Sequence, residues 1–383
     1  MNILWIYNQP LNPEAGGTER ITSLVARGLT DMGHKCLGIL EFEENSSKMV
    51  YDGSEIIDLY RFLKEHEVDV VINQIAYSTW LIDSFLSQGG AQWHREGGKI
   101  ISCLHFDPCN PSNLFLLKCN PSKSLRDYVN ITKAIAFKFY YDRRQRRQEG
   151  QIYNHIYDKS DYMVALSELH FPYLKRVMKR QDYGKLKAIN NPLTFQDISD
   201  VSTINEKKKV VMVCARMSEY HKRISLILRA WRCIRNDDAS HGWTLRIIGD
   251  GTDLLRYKRY VADHSLRGVE FLGQRSPEPY YREASIMLLT SSAEGWGLSL
   301  TEALQRGVVP VVMDSCPVFS EIIEHGYSGF ITPNNDVKTF SRQILQLMSD
   351  ETMLRNMQAN ALHSAHRFTL SSTMAKWREI FNS

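Results

Sequence analysis

The chain lacks the features of secreted, membrane-spanning and zinc-binding proteins. Its seven cysteines are odd in number and irregularly spaced, and no Cys-x-x-Cys pair occurs. This pattern favours reduced thiols that pack as small apolar side chains over disulfides or a metal site. The N-terminal run Ile3–Tyr7 is too short for a signal peptide, and no apolar run approaches the length of a transmembrane helix. These absences predict a cytoplasmic protein.

Two further absences narrow the range of functions. The formal net charge is only +4 over 383 residues, which gives no basis for bulk nucleic-acid binding but leaves room for a local basic patch. No Gly-x-Gly-x-x-Gly follows any of the apolar runs, which argues against a dinucleotide-dependent oxidoreductase.

Short apolar runs alternate with helical patterns in two series. Unbroken runs of this kind are typical of parallel strands that helices cover on both faces. The first series comprises Ile3–Tyr7, Cys36–Leu40, Val68–Asn73, Lys99–Leu104, Tyr162–Leu166 and Leu186–Ile189. The second comprises Val210–Ala215, Leu245–Ile248, Val269–Leu272, Ile286–Thr290, Val308–Met313 and Gly329–Ile331. The predicted fold class is α/β with two Rossmann-like halves.

The polar stretch Thr194–Lys209 separates the two series, and a chain of this length exceeds the usual size of one core. We therefore expect domains at 1–195 and 196–365. A C-terminal helix within 366–383 has an apolar side, and we expect it to pack back towards the N-terminal domain. Its apolar residues are Met374, Trp377, Ile380 and Phe381.

The segment 112–150 has no strand pattern. It combines an apolar and aromatic stretch, 115–141, with the basic run Arg143–Arg147. Polybasic segments are attracted to anionic membranes, so the segment indicates either a membrane-facing surface or a solvated helix face.

The strongest chemical signal is the run Glu294-Gly295-Trp296-Gly297-Leu298-Ser299-Leu300-Thr301-Glu302, which follows an apolar run and opens a helix. Its glycines let a ligand approach the backbone closely, and the free N–H groups of Leu298 and Ser299 form a phosphate site. A phosphate beside two carboxylates that bind hydroxyls describes a sugar nucleotide. The alternative is a capped turn with solvated glutamates.

With its surroundings, this motif resembles the Glu-x7-Glu motif of the retaining glycosyltransferases of family 4, which have the GT-B fold. Further segments match that family in order along the chain. They are Gly16-Gly17-Thr18-Glu19, His105, Leu166-Ser167, Asn191-Pro192, Ala215-Arg216-Met217-Ser218 with Lys222, Ile247–Gly251, Val269–Gly273, Tyr280–Ala284, Ser291 and Ser320–Ile323. The likeness covers most of the second half and is confined to a few positions in the first.

The chain departs from the family pattern in two respects. Ala215 replaces the usual glycine, and the loop that begins at Arg216 is about one residue longer than the commonest form. The extra residue leaves open whether Lys222 or Arg223 is the family lysine. We prefer Lys222, because Arg223 then leads the following helix.

The resemblance implies two Rossmann-like domains that face each other across a donor-binding cleft. It implies a hexosyltransferase that moves a sugar, with retention, from a nucleotide diphosphate sugar to a glycan or lipid-linked acceptor in cell-surface polysaccharide synthesis. A position on the inner face of the membrane, beside an anionic surface, would fit such an acceptor.

The resemblance also assigns roles to residues. Arg216 and Lys222 would stabilise the leaving diphosphate, Glu294 would contact the sugar and Glu302 the ribose. The remaining donor contacts would come from Gly16, Gly17, Gly297, Leu298 and Ser299, and the base would lie against Gly273-Gln274-Arg275. Without the neighbouring motifs, Arg216 and Lys222 would be read as surface cations.

Two residues of the first half stay open between a functional and a structural role. His105 would touch the donor sugar, or would be a loop histidine that satisfies backbone groups. Asp107 is its possible partner or a turn residue before Pro108.

No Asp-x-Asp motif occurs, so we expect no metal and no cofactor. A nucleotide-sugar epimerase or phosphorylase with the same fold remains an alternative. A non-catalytic subunit of a polysaccharide-assembly complex is another alternative. The presence of all four charged residues of the motif, which are Arg216, Lys222, Glu294 and Glu302, argues against it.

Overall fold

The computed structural model describes residues 1–10, 12, 16–44, 46–109 and 138–382. Within these ranges the chain forms two compact units. The first consists of the described residues of Met1–Pro108, Phe139–Thr194 and Thr369–Ser383, and the second contains Phe195–Phe368. Most of the segment predicted at 112–150, including the stretch 115–137 and Cys119, lies outside the described residues.

The first unit is built on one twisted sheet. Its described strands are β1 (Asn2–Tyr7), β2 (Lys35–Phe42), β3 (Met49–Tyr51), β4 (Ser54–Glu55), β5 (Val70–Asn73), β6 (Lys99–Cys103), β7 (Tyr162–Ala165) and β8 (Leu186–Ala188). Their order is β4-β3-β2-β1-β5-β6-β7-β8. All pairs are parallel except β2 with β3 and β3 with β4, which are antiparallel.

The second unit is built on a sheet whose described strands are all parallel. The strands are β9 (Val210–Cys214), β10 (Thr244–Ile248), β11 (Val269–Gly273), β12 (Ile286–Leu289), β13 (Val309–Asp314) and β14 (Phe330–Pro333). Their order is β11-β10-β9-β12-β13-β14. All twelve strands predicted from apolar runs are confirmed within these two sheets.

Helices connect the strands. Those of the first unit are α1 (Gly17–Asp31), α2 (Leu59–Glu65), α3 (Trp80–Phe85), α4 (Ala91–Arg95), α5 (Lys138–Lys159) and α6 (Phe171–Met178). Those of the second are α7 (Glu219–Lys222), α8 (Ile224–Ile234), α9 (Leu254–Asp263), α10 (Glu278–Glu283), α11 (Leu298–Gln305), α12 (Phe319–Ile322), α13 (Val337–Ser349) and α14 (Glu351–Ala365). The last helix is α15 (Leu370–Asn382).

Each sheet has its own apolar core. Every residue of β5 and of β12 is buried, as parallel strands covered on both faces require. One face of α8 is apolar and buried, because Ile224, Ile227 and Trp231 are each no more than 1% exposed. Because the strands of these pairs run parallel, their C-terminal ends and the loops that follow lie along one edge of each sheet.

The C-terminal helix α15 packs against α1 within the first unit. Met374, Trp377, Ile380 and Phe381 are all buried. The contact is close, because a Cβ atom on Gly28 of α1 would lie 2.6 Å from the sulfur of Met374.

None of the described cysteines forms a disulfide with another described cysteine. Cys103 and Cys316 are buried, whereas Cys233 is exposed and so departs from the expectation that the thiols pack as apolar side chains. Among the described residues, no helix is long and apolar enough to cross a membrane.

Candidate functional site

The motif with two glutamates lies at the C-terminal edge of the second sheet. Gly297 adopts a left-handed conformation, with φ 90° and ψ 58°, and α11 begins at the next residue. The amide of Leu300 donates to the carbonyl of Gly297 at 2.8 Å, so the amides of Leu298 and Ser299 lie in the first turn, ahead of any acceptor of the helix itself. These amides and the helix dipole favour an anion at this point.

Glu294, on the loop after β12, and Lys222, the last residue of α7, form an ion pair. Lys222 Nζ lies 2.5 Å from Glu294 Oε1, and the side chains are 22% and 14% exposed. Hydrogen bonds from Ser292 join the loop after β12 to α7. Ser292 N donates to the carbonyl of His221 at 2.7 Å, and Ser292 Oγ donates to the carbonyl of Tyr220 at 2.8 Å. The structure therefore brings these two predicted residues together.

Arg223, the other candidate for the family lysine, points into the second unit and is 2% exposed. Its guanidinium donates to the carbonyls of Thr290 at 2.5 Å and Ser291 at 2.8 Å. It also donates to the side chains of Asn334 at 2.9 Å and Asn335 at 3.0 Å. This side chain is committed to the protein interior, and Lys222 is the cation that stands beside Glu294.

Arg216 is exposed at the end of β9, on a loop that the turn after β10 supports. The amide of Met217 donates to the carbonyl of Asp250 at 2.8 Å, and that of Ala215 donates to the carbonyl of Ile248 at 3.0 Å. A Cβ atom on Gly249 would lie 2.0 Å from the carbonyl oxygen of Ala215. The close approach of the two backbones thus positions the loop that carries Arg216.

Electrostatic effects on His221 place the charged residues of this edge within reach of one another. Partial burial lowers the pKa of His221, and the positive charges of Arg216 and Lys222 lower it further. The negative charge of Glu294 acts in the opposite direction. Two cations, one carboxylate and an imidazole therefore share a small region beside the N-terminus of α11.

Glu302 lies one turn further along α11 and is 3% exposed. The hydroxyl of Tyr281 donates to the carbonyl of Ser299 at 3.1 Å, which ties the first turn of α11 to α10. At the end of β11, the carbonyl of Gly273 accepts a hydrogen bond from Gly249 N at 2.8 Å. The Arg275 side chain donates to the carbonyl of Leu272 at 2.8 Å. The Arg275 guanidinium thus folds back onto its own turn.

Cys316 is a residue of this edge that sequence reasoning missed. Its sulfur accepts a hydrogen bond from the amide of Glu294 at 3.1 Å, and the side chain is 1% exposed. Next to it, Ser315 Oγ donates to the carbonyl of Ser291 at 2.5 Å. The loop after β13 therefore supports the loop that carries Glu294. An apolar strand followed by Ser-Cys carries no local signal of this role, because the contact spans 22 residues.

In the first unit, Gly16 and Gly17 lie at the start of α1. Gly16 is extended, with φ −164°, and a Cβ atom there would lie 2.4 Å from a carboxylate oxygen of Glu19. Glu19 is 5% exposed and accepts a hydrogen bond from Gln9. Burial and the charge of Glu19 together raise the pKa of Tyr7 to about 12. A side chain at position 16 would therefore require the Glu19 carboxylate to move.

His105 follows β6 at the C-terminal edge of the first sheet, and its Nε2 hydrogen-bonds the side-chain oxygen of Gln74. Burial lowers the pKa of His105 to about 4, so the ring is neutral at pH 7. The ring also borders a cavity of about 30 Å³, large enough for a water molecule, which Asn190, Asn191 and Trp377 help to line. Sequence reasoning had not identified Gln74 as its partner.

Asp107 is buried beside a second histidine rather than being an exposed turn residue. Oδ1 of Asp107 lies 3.9 Å from Nε2 of His170, and the two side chains are 2% and 0% exposed. Burial lowers the pKa of His170 to about 4. Among the described residues, neither ring nitrogen of His170 has a hydrogen-bond partner.

The predicted site residues therefore fall into two groups. Arg216, Lys222, Glu294, the first turn of α11 and Glu302 belong to the second unit, whereas Gly16, Gly17 and His105 belong to the first. Among the described residues, no group of three or more histidine, cysteine, aspartate or glutamate side chains is placed to hold a metal ion.

Comparison with known proteins shows which families and folds this chain resembles. Residues 194–364 match the family model described as Glycosyl transferases group 1. An exopolysaccharide phosphotransferase of Streptomyces coelicolor is 35% identical over 143 residues, which are 37% of this chain and 15% of that protein. The amylovoran biosynthesis glycosyltransferase AmsD of Erwinia amylovora is 23% identical over 233 residues, 59% of this chain and 63% of AmsD. The chain thus spans less than two thirds of each of these relatives.

The solved structure of Alr3699/HepE from Anabaena in complex with UDP matches the whole fold. The TM-score is 0.70 at 15% sequence identity, and the match covers 100% of both chains. That likeness concerns the fold, in which two Rossmann-like units follow one another along the chain. Residues 194–364 of this protein therefore match the glycosyl transferases group 1 model, and the chain as a whole has the GT-B fold.

Proposed function

We propose that this protein is a retaining glycosyltransferase that moves a sugar from a nucleotide diphosphate sugar to a glycan or lipid-linked acceptor in cell-surface polysaccharide synthesis. The observation that carries the proposal is the Lys222–Glu294 pair, 2.5 Å apart, beside exposed Arg216 and the first turn of α11. It is supported by the relative AmsD, named for amylovoran biosynthesis, and by HepE, whose solved structure contains UDP.

The arrangement suits a leaving group that gains negative charge. As the bond between the anomeric carbon and the β-phosphate oxygen breaks, Arg216 and Lys222 would stabilise the charge that develops on the phosphate. The free amides of Leu298 and Ser299 would add neutral donors. In the free protein the Lys222 ammonium pairs with Glu294, so donor binding would release that carboxylate to the hydroxyl groups of the sugar.

The same arrangement would allow transfer with retention and without a separate base. The acceptor oxygen attacks the anomeric carbon on the face that the diphosphate leaves, and the departing β-phosphate oxygen takes the proton of the acceptor hydroxyl. One C–O bond forms, one breaks, and the proton ends on the phosphate. The cations contribute by holding that phosphate in place, so no metal ion is part of the proposal.

Residues of the first unit would orient the sugar. His105 is neutral at pH 7 because burial lowers its pKa to about 4, so the ring would act as a hydrogen-bonding group and not as a cation. Gly16 and Gly17 leave the start of α1 free of side chains, which permits close approach to a ligand.

The surface of α5 supports a peripheral position on the inner face of an anionic membrane. Arg143, Arg144, Arg146 and Arg147 are all exposed, and Tyr140 on the same helix is 62% exposed. Such clusters gain about 1 kcal/mol per cation at an anionic surface. A lipid-linked acceptor would then be reached at that surface.

The test is turnover of a panel of nucleotide sugars with glycan and lipid-linked acceptors. The anomeric configuration of the new linkage would be read by NMR. We expect retention, and we expect turnover to survive EDTA. Arg216→Ala and Lys222→Ala should each lower kcat about a hundredfold with a smaller change in donor KM. Arg259→Ala, which removes an exposed cation on α9, is the matched control.

Three results would contradict the proposal. They are an inverted product, unchanged kcat in both variants, and activity lost to EDTA but restored by Mg²⁺ or Mn²⁺. Conversion of the donor sugar without any acceptor would instead identify an epimerase.

A further inference from the structure

His221 is the neighbour of Lys222 in the chain and has no role in the resemblance. It precedes Lys222 in α7, and its backbone carbonyl accepts from Ser292 N at 2.7 Å, which joins the loop of the cations to the loop of Glu294. The ring is partly buried and packs edge-on against Tyr220, with ring centroids 4.3 Å apart. Within the described residues, the ring makes no hydrogen bond.

The short helix that carries His221 is anchored at both ends. At its start, Glu219 is 6% exposed and accepts from the Tyr257 hydroxyl at 2.9 Å, and its amide donates to Asp253 at 2.9 Å. At its end, Arg223 is held in the interior by four hydrogen bonds. The position of His221 is therefore set before any ligand binds, as effective electrostatic sites require.

The charged groups that act on the ring are Arg216, Lys222 and Glu294. Their sum is positive, which opposes protonation of the imidazole in the free protein. A bound nucleoside diphosphate carries at least two negative charges and would reverse the sign of the local field. A cationic imidazole would then be stabilised by charge-assisted hydrogen bonding.

We infer that His221 is a third contact for the donor diphosphate and takes up a proton when the nucleotide binds. The inference rests on the proposed function, since it needs a diphosphate at this site. It adds a property that Arg216 and Lys222 do not supply. A histidine beside the diphosphate makes the affinity for the nucleotide depend on pH.

The expected linkage has a definite sign. In the free protein the pKa of His221 is lowered by burial and by the neighbouring cations, and in the complex the diphosphate raises it. The complex therefore binds more protons than the free protein, and affinity rises as the pH falls. A nucleoside diphosphate also changes its own protonation on binding, so only the difference between wild type and a His221 variant isolates the residue.

The experiment is calorimetric titration of the full chain with UDP, ADP and GDP between pH 6 and pH 8, in buffers of different ionisation enthalpy. We expect one of the three to bind wild type with proton uptake, and its Kd to fall roughly three- to tenfold as the pH drops. His221→Gln should keep binding at pH 8 but lose most of this pH dependence. His264→Gln is the matched control, because His264 also stacks on a tyrosine, Tyr260, but lies exposed on the second unit.

The outcomes separate the inference from the proposed function. If wild type and His221→Gln bind the nucleotide with the same pH dependence, the role of His221 is overturned while the donor site stands. If wild type binds none of the three nucleotides, the proposed function fails and the inference fails with it. His221→Asn is a second variant for the case in which the glutamine variant has a lower Tm than wild type.

Discussion

At the scale of single residues, Lys222 and Arg223 are consecutive in the chain but their side chains diverge. Arg223 adopts a left-handed backbone conformation with φ 48°. This conformation ends α7 and turns the Arg223 side chain into the interior. Arg223 is 2% exposed, whereas the Lys222 side chain is 22% exposed beside Glu294. The two cations should therefore respond differently to removal.

Arg223→Ala should lower the free energy of unfolding of the second unit by about 3 kcal/mol, because the buried carbonyls of Thr290 and Ser291 and two asparagine side chains lose a charged donor. Lys222→Ala should leave that free energy nearly unchanged and lower kcat. Urea unfolding followed by Trp fluorescence, together with turnover assays, measures both effects. A stable Arg223→Ala protein without activity would mean that the roles of the two residues are exchanged.

His170 predicts a pH dependence of stability at the same scale. Its folded pKa is lowered to about 4 by burial, so the unfolded chain binds a proton at its ordinary value near 6.5 while the folded chain does not. The free energy of unfolding should therefore fall as the pH drops from about 6.5 to about 4, by at most about 3 kcal/mol from this group.

His170→Phe removes the titrating group and keeps an apolar ring in the same place. The slope of stability against pH, measured by urea unfolding at a series of pH values, should become shallower in this variant. His264→Gln changes an exposed histidine and should leave the slope as it is. Equal slopes in wild type and His170→Phe would show that the ring is protonated or solvated in the folded state.

At the scale of elements, the proposed donor site depends on turns that bring backbones into contact. Gly249 has φ 130°, and a Cβ atom would lie 2.0 Å from the carbonyl oxygen of Ala215. Gly249→Ala should cost about 3 kcal/mol or more, from backbone strain and overpacking together. The variant should also weaken nucleotide binding, because the added methyl group displaces Ala215 and Arg216 is the next residue.

Gly273→Ala is the matched control for this prediction. Gly273 also has a positive φ, 72°, but a Cβ atom there would meet nothing within 4 Å. We expect a cost of only about 1–2 kcal/mol. Thermal unfolding of the two variants measures the difference, and equal losses would mean that the contact with Ala215 relaxes freely.

The elements themselves were largely predictable. The twelve parallel strands follow from unbroken apolar runs, since burial on both faces leaves a local signature. The antiparallel hairpin β3–β4 was missed. Its strands, Met49–Tyr51 and Ser54–Glu55, are short, and both residues of β4 are exposed. Such an edge carries no apolar period for sequence reasoning to detect.

At the scale of the whole molecule, the basic surface of α5 predicts selective membrane binding. In liposome flotation, the protein should associate with vesicles that contain phosphatidylglycerol and not with phosphatidylcholine alone. Replacing Arg143, Arg144, Arg146 and Arg147 by alanine should weaken this binding at least about a hundredfold, at about 1 kcal/mol per cation.

The control for flotation replaces four exposed cations of the second unit. These are Arg229, Arg232, Lys258 and Arg259. Binding of this control variant to anionic vesicles should equal that of wild type. For both proteins, binding should weaken as salt is added, because salt screens the attraction. Equal partitioning of wild type to neutral and anionic vesicles would contradict the proposed position at an anionic membrane surface.

The sequence by itself determined the two α/β units and the residues from which a donor site could be built. Apolar periodicity, glycines at strand ends and the spacing of Glu294 and Glu302 are local properties, so they can be read without knowledge of the fold. The GT-B fold agrees with the two predicted α/β units, while the roles of the site residues stay predictions.

Only the tertiary structure decided which side chains meet. It turned Arg223 inward and left Lys222 beside Glu294, 72 residues away. It also placed Cys316 under the amide of Glu294, and it buried Asp107 against His170. These contacts depend on side-chain direction and on loops from separate strands, and neither leaves a trace in the order of neighbouring residues.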